Sequence, residues 1–433
     1  MSRKTYSLDE LTKVEGHAKL HVELDGKTVK RAELSVFEPS RYFEALVIGK
    51  SYQEVPSISQ RICGICSVVH TVTSIKAIEN AMGVKISKQT ADLRRLLLCS
   101  STIHSHTAHL FFFAAPDYLG FDDVIELARK KREYLDLAIE LQRLSSGIVK
   151  TIGGRSLHPV TPCVGGFHSV PKKADISNMI RDFERIKDLS VKAAKMFMSF
   201  RPPKLENRTE YLGLAGKGEY PLYDGEISAL ASDGFRPEDY MKNIEEEVIF
   251  RSSAKYTKFR GKPYMVGALS RLNNNHEYMS STAKGLLKRS GLHVPCYSPF
   301  MNNFAQSLEL VHFSDVALDL LRRYEENGMK EERIDIKPRK GEGFAACEAP
   351  RGILIHHYRF DSNGKAAFAN IITPTCQNVR NMEYDMQKLI PAIVNKPDSK
   401  VKRILEMLIR AYDPCFSCST HFLDLDIRKL KKH

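Results

Sequence analysis

The stretch "RAYDPCFSCSTHF", residues 410–422, runs from a predicted helix into two cysteines that lie three residues apart. A Cys-x-x-Cys pair usually indicates metal or redox chemistry. Two thiolates do not complete a metal site, so Cys415 and Cys418 need further ligands from elsewhere in the chain.

The missing ligands are predicted in "QRICGICSVVHT", residues 60–71, where Cys63 and Cys66 form the only other pair of this spacing. Together the two pairs supply four thiolates, which suit nickel, iron or zinc. Structural zinc sites usually hold both pairs within a few tens of residues, because the metal staples a small module. Separation across almost the whole chain therefore favours a working site between helices. The remaining cysteines are isolated and are predicted to be buried, inert thiols: Cys99, Cys163, Cys296, Cys347 and Cys376.

The composition is that of a soluble globular protein, with 42% hydrophobic and 27% charged residues in 433. A net charge of +13 makes nucleic acid a partner to consider. The basic residues are spread out and are not interleaved with aromatic residues, so we predict a solvated basic surface and no nucleic-acid partner.

The N-terminus "MSRKTYSLDELTKVEGH" lacks the apolar core of a signal peptide. The longest strongly apolar run, "LFFFAA" at 110–115, is too short to cross a bilayer. We therefore predict a cytoplasmic protein without a direct membrane span, in which the nine cysteines are reduced.

The hydrophobic pattern predicts a mainly α fold of the α+β type, with long central helices and small peripheral β-sheets. We expect one domain over residues 1–433. Hairpins are predicted at 18–38 and 351–374, which turn at Asp-Gly and Asn-Gly. The following segments complete the prediction: one long helix over 121–154, a helix whose core stripe is Ile176, Met179, Ile180, Phe183 and Ile186, a loop-rich excursion with short strands over 203–265, and a last helix from Asp398 or Ser399 to Pro414.

Both cysteine motifs resemble those of the large, catalytic subunit of nickel-iron hydrogenases. Further blocks resemble the same family in the same order, so the likeness spans essentially the whole chain: "KVEGH" at 13–17, "GGRSLHP" at 153–159, "YMVGALSRLN" at 264–273, "EAPRG" at 348–352 and "TPTCQN" at 373–378. The family's activity is the reversible cleavage of H2 into two protons and two electrons.

The resemblance implies a nickel ion bound by Cys63, Cys66, Cys415 and Cys418. Cys66 and Cys418 would bridge to an iron ion that carries carbon monoxide and cyanide ligands.

Two neighbours of this centre are implied as well. Thr375 would hydrogen-bond a cyanide nitrogen, and His70 would hydrogen-bond a ligand cysteine.

The resemblance places Arg351 above the open coordination position, with Pro350 beside it. Asp117 and Asp413 would hold the guanidinium through charged hydrogen bonds.

Proton transfer needs a base near the metals. A metal-bound thiolate suits this role, and a perturbed Arg351 is an alternative. Glu15 in "VEGH" resembles the family's relay carboxylate beside Cys415, whereas its position alone fits an exposed acid beside a strand.

A third metal, magnesium or iron, is implied by the same resemblance. Its ligands would be Glu44, His421 and the backbone carbonyl of Ile371.

The electrons must leave through other polypeptides, because five isolated cysteines cannot hold an iron–sulfur cluster and no Gly-x-Gly-x-x-Gly unit is present. In this family the partner is a small iron–sulfur subunit. The form of the motifs resembles the cytosolic archaeal and bacterial branch, whose acceptor subunits serve deazaflavin, nicotinamide, sulfur compounds or a heterodisulfide reductase.

The last twelve residues, "FLDLDIRKLKKH" at 422–433, resemble an extension that a maturation protease removes after nickel-insertion proteins have loaded the site. The alternative is an amphipathic basic tail that stays.

Two other classes of protein remain as alternatives: a non-catalytic quinone-site relative with the same fold, and a zinc-stabilised scaffold. The presence of all four cysteines and Arg351 argues against the first. The histidines at 104, 106 and 109 could suggest another metal site, but we interpret them as core residues.

Overall fold

The computed structural model describes residues 3–216 and 218–420. Within these ranges the chain forms fourteen α-helices, labelled in chain order: α1 (Phe43–Val47), α2 (Val55–Ser59), α3 (Ser67–Met82), α4 (Lys88–Ala108), α5 (Ala115–Leu119), α6 (Val124–Lys130), α7 (Arg132–Gly153), α8 (Lys173–Ser199), α9 (Tyr240–Asn243), α10 (Ala268–Asn275), α11 (Ser281–Ser290), α12 (Asn302–Arg322), α13 (Pro374–Ile393) and α14 (Asp398–Ala411).

The same residues form thirteen strands: β1 (Arg3–Leu8), β2 (Ala18–Asp25), β3 (Thr28–Val36), β4 (Pro162–Cys163), β5 (Gly166–Phe167), β6 (Glu210–Ala215), β7 (Glu226–Ala229), β8 (Ile244–Val248), β9 (Lys255–Phe259), β10 (Tyr264–Met265), β11 (Gly341–Ala349), β12 (Gly352–Phe360) and β13 (Ala366–Ile372).

Long helices form the main core, in which α12 packs against α4 and α8, and α7 packs against α4 and α8. Apolar residues at helical spacing give each helix a face to bury. The predicted stripe on α8 is such a face, since Ile176, Met179, Ile180, Phe183 and Ile186 are all buried. Among the described helices, none combines the length and apolar character that a bilayer span requires.

The predicted single helix over 121–154 is wrong, because this segment forms the two helices α6 and α7. The chain leaves helical geometry at Lys131, with φ −140° and ψ 60°. Arg129 and Arg132 flank the break one helical turn apart, and like charges at that spacing oppose a continuous helix. The Asp123 side chain caps α6 by accepting a hydrogen bond from the Glu126 N–H.

The sheets are small and antiparallel apart from the parallel pairing of β6 with β10. β2 and β3 form the first predicted hairpin, and β1 adds to its edge. β12 and β13 form the second predicted hairpin, to which β11 adds a third strand. The predicted excursion over 203–265 contains the short strands from β6 to β10. The structure thus confirms the predicted fold class of long helices with small sheets.

The two ends of the described chain meet beside the cysteine pairs. Cys415, just after α14, forms a parallel backbone bridge with Glu15. Gly16 has a φ of +82°, and a Cβ built on it would lie 2.8 Å from the Ser417 nitrogen. Only glycine permits this close approach, which explains why the motif "VEGH" has a glycine at position 16.

We expect Phe183→Ala to lower the free energy of unfolding by about 3–5 kcal/mol, because a fully buried ring is removed from the contact between α8 and its neighbours. Urea denaturation followed by circular dichroism measures the effect. Glu184→Ala, at a half-exposed neighbour on the same helix, is the control and should change little. Equal losses in both variants would contradict the assignment of the stripe to the core.

Candidate metal centre

The two cysteine pairs come together in the folded chain, although they lie 352 residues apart. Cys63 follows a short 3₁₀ turn, and Cys66 is the N-cap residue of α3. The Sγ atoms of Cys63, Cys415 and Cys418 all lie within 4.8 Å of one another. The Sγ atoms of Cys63 and Cys415 are 3.7 Å apart. The ends of helical segments thus bring three buried sulfur atoms, from both ends of the chain, close enough together to share one metal ion.

Cys66 completes the group from the other side. Its backbone N–H donates a hydrogen bond to Cys63 Sγ (3.1 Å). Its own Sγ accepts a hydrogen bond from Nη1 of Arg351 (3.1 Å). A small cavity is lined by Cys66, Arg351, Cys415 and Cys418, among other residues.

Cys415 and Cys418 are joined by a disulfide in the structure. The expectation that all nine cysteines are reduced thiols is therefore wrong for this pair. A metal ion binds thiolates, so the disulfide must be reduced before both sulfur atoms can act as ligands.

The five isolated cysteines are free and lie outside the cluster. Four of them are buried as predicted, whereas the prediction is wrong for Cys163, which is half-buried. Burial raises the pKa of Cys99 and of Cys376 to about 12. A thiol with so high a pKa is protonated at neutral pH and inert, as the sequence analysis predicted for these residues.

Arg351 lies in the turn between β11 and β12, with its side chain buried. Its Nε donates to the Asp413 carbonyl (2.6 Å), and Nη2 donates to Asp413 Oδ1 (2.9 Å). Nη1 is 3.4 Å from Ser105 Oγ. The structure thus contains the predicted pairing with Asp413 and adds Ser105, which no motif indicated.

The charges around Arg351 keep it protonated. Burial alone would lower its pKa, but the Asp413 carboxylate and Cys66 outweigh burial and hold the pKa above its ordinary value. The alternative interpretation of Arg351 as a base stays a prediction. The hydrogen bond with Cys63 lowers the pKa of Cys66, and the Arg351 charge acts in the same direction.

Asp413 is fixed from several directions. It has a left-handed φ of 52°, and its N–H donates to the Arg410 carbonyl (2.8 Å). Its Oδ2 accepts a hydrogen bond from Nε2 of Gln306 (3.1 Å). The Gln306 Oε1 in turn lies 2.6 Å from Nδ1 of His109. His109 is therefore a core residue that supports Asp413, as we interpreted it.

Asp117 does not hold the Arg351 guanidinium as predicted. Its carboxylate accepts hydrogen bonds from Arg410 Nη1 (2.8 Å) and Lys13 Nζ (2.6 Å). The motif "AAPDYLG" places Asp117 in α5, next to the end of α14, so the nearer guanidinium of Arg410 is its partner.

Glu15 lies against the C-terminal cysteine pair, 400 residues away in sequence. Its Oε2 is 3.0 Å from Cys415 Sγ and accepts a hydrogen bond from the Ser417 N–H (3.2 Å). The Ser417 hydroxyl donates to Oε1. The alternative of an exposed acid beside a strand is thus excluded for this residue.

Thr375 and His70 lie at the wall of the same cavity. The Thr375 hydroxyl accepts a hydrogen bond from the Cys415 N–H (3.0 Å). Nδ1 of His70 is 3.1 Å from Nε2 of His356, a partner that the sequence analysis missed. The predicted contacts of Thr375 with cyanide and of His70 with a ligand cysteine stay predictions.

The structure brings two of the three predicted ligands of a third metal together, because the Ile371 N–H donates to Glu44 Oε1 (2.8 Å). His421 lies outside the described residues, as does the segment 422–433. Lys255, which the sequence analysis missed, lies at the same place. Its ammonium nitrogen is 3.2 Å from the same Glu44 oxygen.

Arg271 is the other residue missed by the sequence analysis. It is fully buried between Glu309 and Glu348 (Nε–Oε1 2.6 Å and Nη1–Oε2 2.8 Å). Its guanidinium also donates to the carbonyls of Ala349 (2.9 Å) and Pro350 (3.0 Å). Arg271 therefore fixes the backbone that leads into Arg351. The block "YMVGALSRLN" contained this arginine, but no spacing rule connects it to "EAPRG".

His106 has a partner in the same network, since its Nε2 lies 2.7 Å from Oε2 of Glu309. Burial lowers the pKa of His106. It is a buried core histidine, in agreement with our interpretation.

Four cysteines from both ends of the chain, a buried arginine and a carboxylate at one thiol form a site whose thiolates suit a transition-metal ion. A family model described as nickel-dependent hydrogenase matches residues 41–135 and 215–421. The chain belongs to this family and is an oxidoreductase of the hydrogenase class.

Curated relatives cover nearly the whole chain. The alpha subunit of sulfhydrogenase 1 from Pyrococcus furiosus is 32% identical over 97% of this chain and 98% of its own length. The matching subunit of the F420-non-reducing hydrogenase vhc from Methanococcus voltae is 31% identical over 99% of this chain and 97% of its own length. Both relatives are subunits by name, so the chain belongs to a protein class that works in complexes with other subunits.

The fold agrees with solved structures. The structure of an NAD+-reducing [NiFe]-hydrogenase in the H2-reduced state matches with a TM-score of 0.85 and 25% identity, over 96% of this chain and 99% of that chain. The prediction of a nickel-iron hydrogenase large-subunit fold is confirmed.

Asp385 on α13 generates a prediction about pH. It is buried, it accepts a hydrogen bond from the hydroxyl of Tyr412 next to Asp413, and burial raises its pKa to about 6. The unfolded chain titrates this group near pH 4, so its contribution is complete below about pH 4 and is lost as the pH rises through about 6.

We therefore expect the difference in free energy of unfolding between the wild type and Asp385→Asn to shift in favour of the variant by about 2 kcal/mol from pH 4 to pH 7. Urea titrations at several pH values measure it. Asp398→Asn is the control: a hydrogen bond from Lys4 lowers the pKa of this exposed aspartate, so the same pH change should bring no shift in favour of the variant. A difference that is independent of pH would contradict a raised pKa.

Proposed function

We propose that Cys63, Cys66, Cys415 and Cys418 hold a nickel-iron centre at which H2 is cleaved heterolytically and reversibly into two protons and two electrons. The observation that carries the proposal is the Arg351 guanidinium. It is fixed by Asp413, and one of its N–H groups donates to Cys66 Sγ (3.1 Å) inside the cysteine cluster.

The donor set fits the proposed metals. Four thiolates are soft ligands that suit nickel and iron, once the disulfide between Cys415 and Cys418 is reduced. Nickel would be held by all four sulfur atoms and iron by Cys66 and Cys418, with carbon monoxide and cyanide as further iron ligands. When bound, the metals would supply a site that binds H2, weakens its bond and accepts its two electrons.

Proton transfer is assigned to Cys415 and Glu15. The Cys415 thiolate accepts a proton and passes it to Oε2 of Glu15, 3.0 Å away. Ser417 holds this carboxylate through its N–H and hydroxyl groups. Short, fixed distances favour proton transfer, because both partners are already in hydrogen-bond reach.

Arg351 keeps its proton and acts by its charge. A guanidinium held inside a protein interior stabilises negative charge that develops nearby, and it needs no reorganisation when the reaction occurs. Asp413 orients it, and Arg271 fixes the preceding backbone through the Pro350 carbonyl. These contacts support a role for Arg351 in binding and polarising H2 next to Cys66.

The two electrons leave through other polypeptides. The five cysteines outside the cluster are isolated in sequence, so we propose that the direct partner is an iron–sulfur small subunit. Further subunits would pass the electrons to the final acceptor. The relatives include an F420-non-reducing hydrogenase and an NAD-reducing hydrogenase, so the acceptor differs among them.

Maturation and location complete the proposal. We propose that nickel-insertion proteins load the site and that a maturation protease then removes residues 422–433. The reducing conditions of the cytoplasm would keep Cys415 and Cys418 as thiols.

The metal content of the complex, purified anaerobically with its natural partners, tests the proposed site. We expect about one nickel per chain in the wild type and almost none in Cys418→Ser, because a ligand is lost. Cys99→Ser, at a buried cysteine outside the cluster, should keep its nickel. Zinc without nickel in a wild-type chain whose tail has been removed would reject the hydrogenase site in favour of a scaffold.

Arg351→Lys should lower kcat for H2 oxidation by roughly 100-fold or more and leave the nickel content unchanged. A lysine keeps the charge but lacks the planar guanidinium, so it cannot contact Cys66 Sγ, the Asp413 carbonyl and Asp413 Oδ1 at the same time. H2-dependent dye reduction with nickel counted in the same sample measures this. Arg403→Lys, which replaces an arginine outside the site, should keep kcat near the wild-type value. Wild-type kcat in Arg351→Lys would refute the role.

A further inference from the structure

The ammonium group of Lys255 is enclosed by oxygen atoms at the place predicted for a third metal ion. Its Nζ lies 2.6 Å from Glu246 Oε2, 3.1 Å from Asn370 Oδ1, 3.2 Å from Glu44 Oε1 and 3.4 Å from the Ile371 carbonyl oxygen. The Lys255 side chain is only 1% exposed. We call these five residues the Lys255 cage.

The cage oxygens are held by contacts of their own. Asn370 Nδ2 donates to Glu246 Oε1 (2.6 Å), and the Ile371 N–H donates to Glu44 Oε1 (2.8 Å). Lys255 opens β9, and Glu246 lies on its partner strand β8. Because β8 pairs with β9, the Lys255 side chain lies beside Glu246. From there its ammonium reaches the oxygens of α1 and β13.

Two of the three predicted metal ligands, Glu44 and Ile371, thus face a protonated amine. The Lys255 Nζ lies 2.6–3.4 Å from the cage oxygens, and a magnesium ion would have to approach the same oxygens to about 2.0–2.1 Å in near-octahedral geometry. A divalent ion at the same oxygens would lie against the positive charge of Lys255. With the lysine in place, these residues do not fit a divalent metal ion.

We propose that the Lys255 ammonium is the cation of this site and that no magnesium or iron ion binds at Glu44 and Ile371. This inference rests on the proposed function only in one respect, namely that Glu44 and Ile371 are expected to be metal ligands. The contacts of the Lys255 cage do not depend on that function. Lys255 is buried, whereas the side chains of Glu44 and Glu246 are 13% and 25% exposed. Two carboxylates that lie against one buried ammonium stabilise its charge, and a tethered ammonium is a cation that a chelator cannot remove.

The cage also bears on the cysteine site. Ile371 is two residues before Thr373, whose hydroxyl donates to the Cys418 carbonyl (3.1 Å). Lys255 therefore anchors the end of β13 that supports the second C-terminal cysteine. In this view Lys255 is a positioning residue for the metal centre, and the centre keeps its geometry without a third metal.

Metal counting on the wild-type complex tests the proposal. The complex is purified anaerobically, washed with EDTA and exchanged into magnesium-free buffer, and magnesium and nickel are measured per chain by mass spectrometry. We expect far less than one magnesium per chain. About one magnesium per chain that survives the wash would overturn the proposal, as would an anomalous-difference peak at the iron edge beside Glu44 in a crystal. Loss of nickel would reject the proposed function and leave the magnesium result valid.

A pair of variants provides a second readout. Lys255→Met removes the buried ammonium that contacts both Glu44 and Glu246, so we expect its Tm to fall clearly below that of Lys258→Met. Lys258 lies on the same strand and pairs with Glu247, but its side chain is 29% exposed. Equal Tm values in the two variants would contradict the cage, and if Lys255→Met fails to fold, the metal count on the wild type still decides.

Discussion

The buried guanidinium of Arg351 is the constraint on which the arrangement of the centre depends. A charge that is removed from water needs a countercharge and hydrogen-bond acceptors, because an unpaired buried ion costs several kcal/mol. Asp413 supplies both a carboxylate and a carbonyl, and Cys66 supplies a sulfur atom. Three distant segments must therefore converge on one side chain: the β11–β12 turn, the start of α3 and the end of α14. The same contacts place the cysteine pairs against each other.

The meeting of the chain ends explains why a short motif near the N-terminus belongs to the site. Glu15 binds the C-terminal segment through its backbone as well as its side chain, since its carbonyl accepts the Phe416 N–H (2.9 Å). Gly16 permits the approach by lacking a side chain. Backbone contacts therefore fix the Glu15 carboxylate beside Cys415. A proton relay requires such a fixed distance between donor and acceptor.

Paired buried charges recur around the centre. Arg271 is enclosed by two glutamates and by two backbone carbonyls that lead to Arg351, and Lys255 is enclosed by the oxygens of α1, β8 and β13. Both arrangements fix backbone that carries site residues. In a low-dielectric interior such networks are rigid only when every member has a partner, so the loss of one residue should disturb positions beyond its immediate neighbours.

The sequence by itself determined the class of the protein. Two cysteine pairs, the short blocks between them and the spacing of apolar residues indicated the ligands, the family and the main elements, because ligand chemistry and helical periodicity are written in local patterns. The break at Lys131 was missed, because acidic residues at the start and glycines at the end of the segment indicate one helix, and the like charges of Arg129 and Arg132 are a weak signal beside them. Only the tertiary structure decided which charges pair. Asp117 binds Arg410 and Lys13, not Arg351, and Lys255 lies where a metal was expected. Partner choice depends on distances between segments far apart in sequence, and those distances exist only once the chain has folded.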